Sequence, residues 1–182
     1  MNHPIEGIVA MDSCGGIGKK GKLPWKIREE MEFFKSMTTG HVIIMGSTTF
    51  ESLQNKPLHN RLNIVITNNP GKYSDMQMYE NLMFVEDIHF FHKMQTTDEL
   101  SERYSFLKAD YKFYVIGGAG IYRILIPECS CVWMSVMDRK YDCDVFFPCC
   151  ELLYNKARYN RVLYKSFNDF IVYKYTALEP VP

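Results

Sequence analysis

From residue 26 to residue 37 the chain reads Lys-Ile-Arg-Glu-Glu-Met-Glu-Phe-Phe-Lys-Ser-Met. Wound at about 100° per residue, Ile27, Met31, Phe34 and Met37 fall on one side, with Phe33 at its edge. Glu29 and Glu32 fall on the other side, so the spacing predicts a helix over Lys26–Met37. Glu30 breaks the pattern, because it falls inside the apolar stripe between Ile27, Met31 and Phe34. A bare buried carboxylate is strongly destabilising. Glu30 therefore either has a partner inside the protein or faces a cleft where a ligand supplies one.

The other apolar runs are short and alternate with helical patterns, which is the signature of an α/β fold. Strands are predicted at Ile5–Met11, His41–Met45, Asn63–Thr67, Leu82–Val85, Phe113–Ile116 and Cys131–Met137. The continuous apolar runs His41–Met45 and Phe113–Ile116 read as strands covered on both faces. Residues 12–24 read as a long loop. Short helices are expected at Thr48–Leu53, at 98–107 and at Gly120–Leu125, the last stopped near Pro127. Residues 159–177 read as a hairpin around the turn Ser166-Phe167-Asn168-Asp169. Residues 72–110 otherwise carry no interpretable motif. Together these elements predict one domain over residues 1–182. Its expected frame is a mostly parallel central sheet of about eight strands, a C-terminal antiparallel hairpin and helices on both faces.

Composition narrows the function without naming it. The 182 residues carry 21 Lys plus Arg against 21 Asp plus Glu, a formal net charge of zero, which argues against nucleic-acid or membrane-surface binding driven by bulk charge. The N-terminal residues lack an export pattern, and no apolar run approaches the roughly 20 residues needed to span a bilayer. A cytoplasmic location follows as the expectation. Six cysteines (Cys14, Cys129, Cys131, Cys143, Cys149 and Cys150) show no disulfide framework and are expected to be reduced. Their spacing is not that of a zinc ribbon or finger, and no metal is expected.

Three glycine-bearing stretches could hold a ligand. Gly16–Lys22 spells most of a phosphate-binding loop, but Leu23 stands where that motif needs a hydroxyl, and Pro24 opposes a helix start. A flexible lid, or a plain surface loop, fits better. Gly117-Gly118-Ala119-Gly120 leads from a buried strand into a helix whose first N–H groups are free to bind an anion; a tight turn without ligand explains it equally well. Gly46-Ser47-Thr48-Thr49 repeats the arrangement, and two strand ends of this kind in one sheet form a nucleotide-binding crevice.

Taken in order, Ile8-Val9-Ala10, Gly16-Ile17-Gly18, Leu23-Pro24-Trp25, Glu30 with Phe34, and Ile44-Met45-Gly46 followed by Thr49-Phe50-Glu51-Ser52 resemble the dihydrofolate reductase family. Pro57-Leu58 with Arg61 and Asn63, Val115-Ile116-Gly117-Gly118, and Asp144 with Phe146-Phe147-Pro148 continue the likeness, which runs from about residue 5 to 176. The resemblance implies reduction of 7,8-dihydrofolate to 5,6,7,8-tetrahydrofolate by hydride transfer from NADPH. It implies that Glu30 binds the pteridine through two charge-assisted hydrogen bonds and aids its protonation. Trp25 and Leu23 would wall the pocket, and Ser135, where the family usually has Thr, would bridge carboxylate and pterin. Ile8, Val9, Met31, Phe34, Leu53 and Leu58 would complete the substrate site, and Arg61 would hold a folate carboxylate. Antifolate inhibitors are expected in the same pocket.

The resemblance further implies cofactor contacts from Ala10, Ile17, Gly18, Gly46, Ser47, Thr48, Thr49, Thr67 and Asn68. It adds Ile116, Gly117, Gly118, Ala119, Gly120, Ile121 and Tyr122, and a cis bond between Gly117 and Gly118. Ser47, Asn68 and Gly120 depart from the basic or phosphate-binding residues frequent at those places, which weakens the case for NADPH over NADH; Lys72 is the one candidate to compensate. A non-catalytic folate- or nucleotide-binding module and a pyrimidine reductase of the same fold are the alternatives. Some family members are fused to thymidylate synthase, so residues 177–182 could be a terminus or the start of a linker.

Overall fold

The computed structural model describes residues 3–179, apart from the side chains of 89–91. The segment 180–182, where a terminus or linker was in question, lies outside the described residues. In chain order the strands are β1 (Ile5–Met11), β2 (Gly16–Gly18), β3 (Val42–Gly46), β4 (Leu62–Ile66), β5 (Leu82–Val85), β6 (Phe113–Gly117), β7 (Cys131–Met137), β8 (Val145–Phe146), β9 (Tyr159–Ser166) and β10 (Phe170–Ala177). The helices are α1 (Arg28–Thr38), α2 (Ser47–Ser52), α3 (Ile88–Met94), α4 (Glu99–Arg103), α5 (Ala119–Leu125) and α6 (Cys150–Tyr154), with 3-10 turns at Pro70–Met78 and Ile126–Glu128.

Eight strands form one sheet in the order β5-β4-β3-β6-β1-β7-β10-β9. From β5 to β7 every pairing is parallel; β10 is antiparallel to both β7 and β9, so it alone runs against the other seven strands. Val42, Ile43, Ile44 and Met45 of β3 are wholly buried, as a run of apolar residues covered on both faces must be. The core accordingly divides in two. One layer joins Phe33 of α1, Phe50 of α2 and Tyr73 to the sheet side bearing Ile8, Ile43 and Trp133. The other joins Leu100 of α4, Leu125 of α5 and Leu153 of α6 to the side bearing Val9, Ile44 and Val115.

Several expectations need correction. The first helix starts two residues later than its pattern predicts, because Ile27 keeps an extended backbone next to the Pro24 turn. Its buried face centres on Glu30 and Phe33, so Met31 is 55 % exposed although its spacing placed it in the apolar stripe. Residues 12–24 are not a bare loop. β2 pairs with β8 in a separate two-stranded sheet, and a tight reversal follows between Lys19 and Lys22. Lys20 (φ 47°) and Gly21 (φ 74°) both take left-handed backbone there, as the hairpin turn with two left-handed residues requires. In the middle section the expected helix over 98–107 shrinks to Glu99–Arg103, and α3 and the 3-10 turns at Pro70–Met78 had no recognisable sequence signal. Among the described residues no helix is long and apolar enough to cross a membrane.

Candidate active site

The carboxyl ends of the parallel strands converge on one crevice. β3 ends at Gly46 and enters α2 through Ser47, Thr48 and Thr49; β6 ends at Ile116 and Gly117 and enters α5 through Gly118. The two ends are neighbours, with Met45 paired to Gly117. The glycines there are required by space. A Cβ on Gly46 would lie 3.1 Å from the Ile121 side chain, one on Gly117 would lie 3.2 Å from the Tyr122 ring, and one on Gly118 would lie 3.3 Å from Thr49 Oγ1. Gly117 has φ 119°, which L side chains avoid, and the Gly117–Gly118 peptide is cis, as expected. The main chain is thereby left bare where two helices begin. Thr67 and Asn68 stand at the end of β4, next in the sheet, with Thr67 buried and Asn68 exposed. Ala119 is half-buried and Gly120 exposed in the first turn of α5.

Glu30 lies one layer away, on α1 against the sheet. It is 7 % exposed, and among the described residues it has neither an ion-pair partner nor a side-chain hydrogen bond. Of the two readings of Glu30, a partner inside the protein is therefore not met among the described residues. Burial pushes its carboxyl up to about 7, since nothing nearby compensates the charged form. Trp25 is buried in the same layer, and its indole N–H has no acceptor among the described residues. β1 and β7 run side by side with Ile8 paired to Trp133 and Ala10 to Ser135, so buried Ser135 shares the α1 side of the sheet with Ile8 and Ala10. Phe34, Leu53 and Leu58 are half-buried and pack on this layer.

Arg61 is buried. Its Nε donates to the His59 carbonyl at 3.0 Å and one terminal nitrogen donates to Thr38 Oγ1 at 3.0 Å. Burial lowers its basicity, and no carboxylate among the described residues pairs with it, so it is not the surface ion pair that an exposed arginine would make. Tyr122 crosses from the opposite layer, and its hydroxyl donates to the Ile8 carbonyl at 2.8 Å. Burial, then the charge of Glu30, push its hydroxyl pKa upward, which places the two groups in one electrostatic field.

Other sequence candidates are placed less favourably. Val9 alternates to the far side of β1, which leaves only its main chain toward α1. Met31 and Leu23 are exposed, at 55 % and 52 %. Ile17 packs on the layer opposite α1, and Gly18 lies in β2. Lys72, the candidate cation for the crevice, is engaged elsewhere: its ammonium bonds Glu51 Oε1 at 2.6 Å, and the Tyr73 hydroxyl donates to the same oxygen at 2.7 Å. All six cysteines are free thiols, and no group of three or more His, Cys, Asp or Glu side chains suited to a metal occurs among the described residues.

Asp12 and Tyr141 were missed in the sequence. Asp12 could have been found, because an Asp two and four residues before backbone N–H groups in a glycine-rich turn is an Asx-type signal. Tyr141 had no signal, since its contact is made with Trp25, 116 residues earlier in the chain.

A family model described as dihydrofolate reductase matches residues 4–176. The dihydrofolate reductase of Ureaplasma parvum serovar 3 is 35% identical over 165 residues, covering 89% of this chain and 90% of its own. The bifunctional dihydrofolate reductase-thymidylate synthase of Paramecium tetraurelia is 30% identical over 179 residues, 97% of this chain but 35% of its own length. The chain thus spans about a third of the bifunctional relatives it matches. A solved structure of Enterococcus faecalis dihydrofolate reductase, described as complexed with NADP(H) and RAB-propyl, superposes with a TM-score of 0.73 at 26% identity, covering 98% of this chain and 99% of that one. With the matched region running through the sheet, the glycine cradle and Glu30, the chain belongs to the dihydrofolate reductase family.

Proposed function

We propose that the chain is an NADPH-dependent dihydrofolate reductase, acting as one unit over its length and converting 7,8-dihydrofolate to 5,6,7,8-tetrahydrofolate in the cytoplasm. The observation that carries this reading is Glu30, a buried carboxylate without a cation partner among the described residues, raised to about 7. A flat heterocycle with an amino group and a ring N–H would supply the two donors that Glu30 lacks. A carboxyl poised near neutrality also exchanges protons readily at physiological pH, which suits a reaction that must protonate the ring.

The residues present fit a dinucleotide. Gly46, Gly117 and Gly118 keep side chains away from the strand ends, and Ser47, Thr48 and Thr49 on one side and Ala119 to Tyr122 on the other would hold it. When bound, the reduced nicotinamide supplies the hydride. This chain's own contribution is orientation and exclusion of water. Ile8, Ala10, Phe34, Leu53 and Leu58 would pack on the substrate rings, with Trp25 and Ser135 at the polar edge and Arg61, desolvated and without a carboxylate partner, facing the folate carboxylate. Ser47, Asn68 and Gly120 bring no charge to the cofactor phosphates, and Lys72 is held by Glu51, so recognition would rest on hydroxyl and main-chain donors.

Mixing the protein with NADPH and dihydrofolate and following the loss of reduced-nicotinamide absorbance tests the reading. Turnover is expected, with NADPH used in preference to NADH, and an antifolate that mimics the pteridine should inhibit it competitively. Tight binding of both ligands without turnover would instead favour a binding module. The zero net charge supports neither nucleic acid nor a membrane surface as a partner.

A further inference from the structure

A second buried carboxylate, outside the proposed chemistry, sits beneath residues 12–24. Asp12 follows β1 and is 1 % exposed. Its Oδ1 accepts the backbone N–H groups of Cys14 and Gly16, each at 2.8 Å. Its Oδ2 accepts the backbone N–H of Tyr141 at 2.9 Å and lies 3.7 Å from the Cys143 thiol. Burial alone pushes the Asp12 carboxyl up, but the N–H groups of Tyr141, Gly16 and Cys14 outweigh it and hold the carboxyl below its ordinary range. The clamp is therefore ionic and is anchored on main chain at both ends. It is also closely fitted, since a Cβ on Gly16 would lie 2.5 Å from the Cys143 Cβ.

Because Tyr141 is fastened by its peptide N–H, its ring is free to pack, and it packs on Trp25. The ring centroids are 5.2 Å apart with planes tilted by 59°. The Trp25 N–H has no acceptor among the described residues, so packing rather than hydrogen bonding sets the orientation of that indole. Among the described residues Tyr141 is the aromatic ring that contacts it.

We infer that Tyr141 is a positioning residue of the ligand site: clamped through its backbone by Asp12, its ring fixes the tilt of Trp25 and so aims the indole N–H. The identity of the ligand, a pteridine, rests on the function proposed above; the coupling of Tyr141 to Trp25 does not. The distinction gives the test two separate readouts. In the free protein, the indole N–H resonances of Trp25 and Trp133 are recorded by nitrogen–proton correlation and assigned with Trp25→Phe. Tyr141→Ala should move the Trp25 signal and leave that of Trp133 in place. Tyr141→Phe, which keeps the ring, should restore it, and Asp12→Asn should move it in the same direction as Tyr141→Ala. In the assay, Tyr141→Ala should raise KM for dihydrofolate about tenfold with a smaller change in kcat. Should Tyr141→Ala fail to fold, Tyr141→Leu keeps part of the apolar bulk without the ring and carries the same expectations. An unmoved Trp25 signal, or a Tyr141→Phe protein as impaired as Tyr141→Ala, would overturn the inference. Absence of dihydrofolate turnover in the unsubstituted protein would instead overturn the proposed reaction, and the resonance shift would still decide the role of Tyr141.

Discussion

The α1 side of the sheet contains two buried glutamates and two buried indoles, and the members of each pair are treated oppositely. At the amino ends of the strands, Glu6 receives the Lys112 ammonium at 2.6 Å on one oxygen and the Trp133 indole N–H at 2.8 Å on the other. Burial pushes its carboxyl up, but Lys112 and Trp133 outweigh that and hold it below the ordinary range. At the other end, Glu30 and the Trp25 N–H have no such partners among the described residues, and the Glu30 carboxyl rises to about 7. The two carboxylates are buried to nearly the same degree, 5 % and 7 % exposed. Burial is therefore not what separates them. One charge is compensated inside the fold and serves stability, while the other is left for a ligand to compensate.

The widest separation between the two ends is expected in catalysis. Glu30→Gln keeps shape but removes the charge and one acceptor, and should lower kcat/KM for dihydrofolate about a thousandfold at neutral pH. Glu6→Gln should leave it within about twofold in the same assay. Comparable losses in both proteins would erase the contrast.

Stability against pH should show the next largest difference. An unfolded Glu30 ionises near 4.5 and the folded one near 7, so folded protein binds more protons between those values. Its burial costs nothing below about pH 4.5, becomes increasingly destabilising up to pH 7 and is constant above. Glu30→Gln should thus stabilise the protein by about 3 kcal/mol at pH 8 and by almost nothing at pH 4, read from urea unfolding at each pH. Glu6 has the opposite sign: its contribution is present above the unfolded pKa and is lost on acidification. Glu6→Ala should destabilise by about 2 kcal/mol at pH 7, allowing for the partial exposure of Lys112, with a smaller loss in acid.

The smallest effect expected is at the start of β2. Gly16→Ala should cost about 1 kcal/mol, because its Cβ would meet the Cys143 side chain, whereas Gly120→Ala meets no atom within 4 Å and should be near neutral in the same melts.

The sheet was largely legible because its strands are short apolar runs closed by turns, and β7 and the C-terminal hairpin were read almost to the residue. Glu30 was legible as a violation of its own helix pattern. What escaped depends on partners far away in the sequence. β2 and β8 are too short to show a period and exist by pairing with each other. Met31 was misread because the helix stripe gave its phase only to within one residue, and packing against the sheet chose Phe33 instead. That Lys72 would be tied to Glu51 could not be read either, since a charge pair across 21 positions leaves no periodic trace.

The strand order also governs how the molecule comes into being. Of these strands β1 is made first, yet its two neighbours are β6 and β7, which begin at residues 113 and 131. β4 by contrast pairs with β3 and β5, the strands made just before and just after it, although β3 also waits for β6 on its other side. A nascent chain halted before residue 113 would hold that three-stranded edge while its first strand remained without a hydrogen-bonded neighbour. Ile8 and Ala10 would then be exposed, available to chaperones, until β6 and β7 had been made.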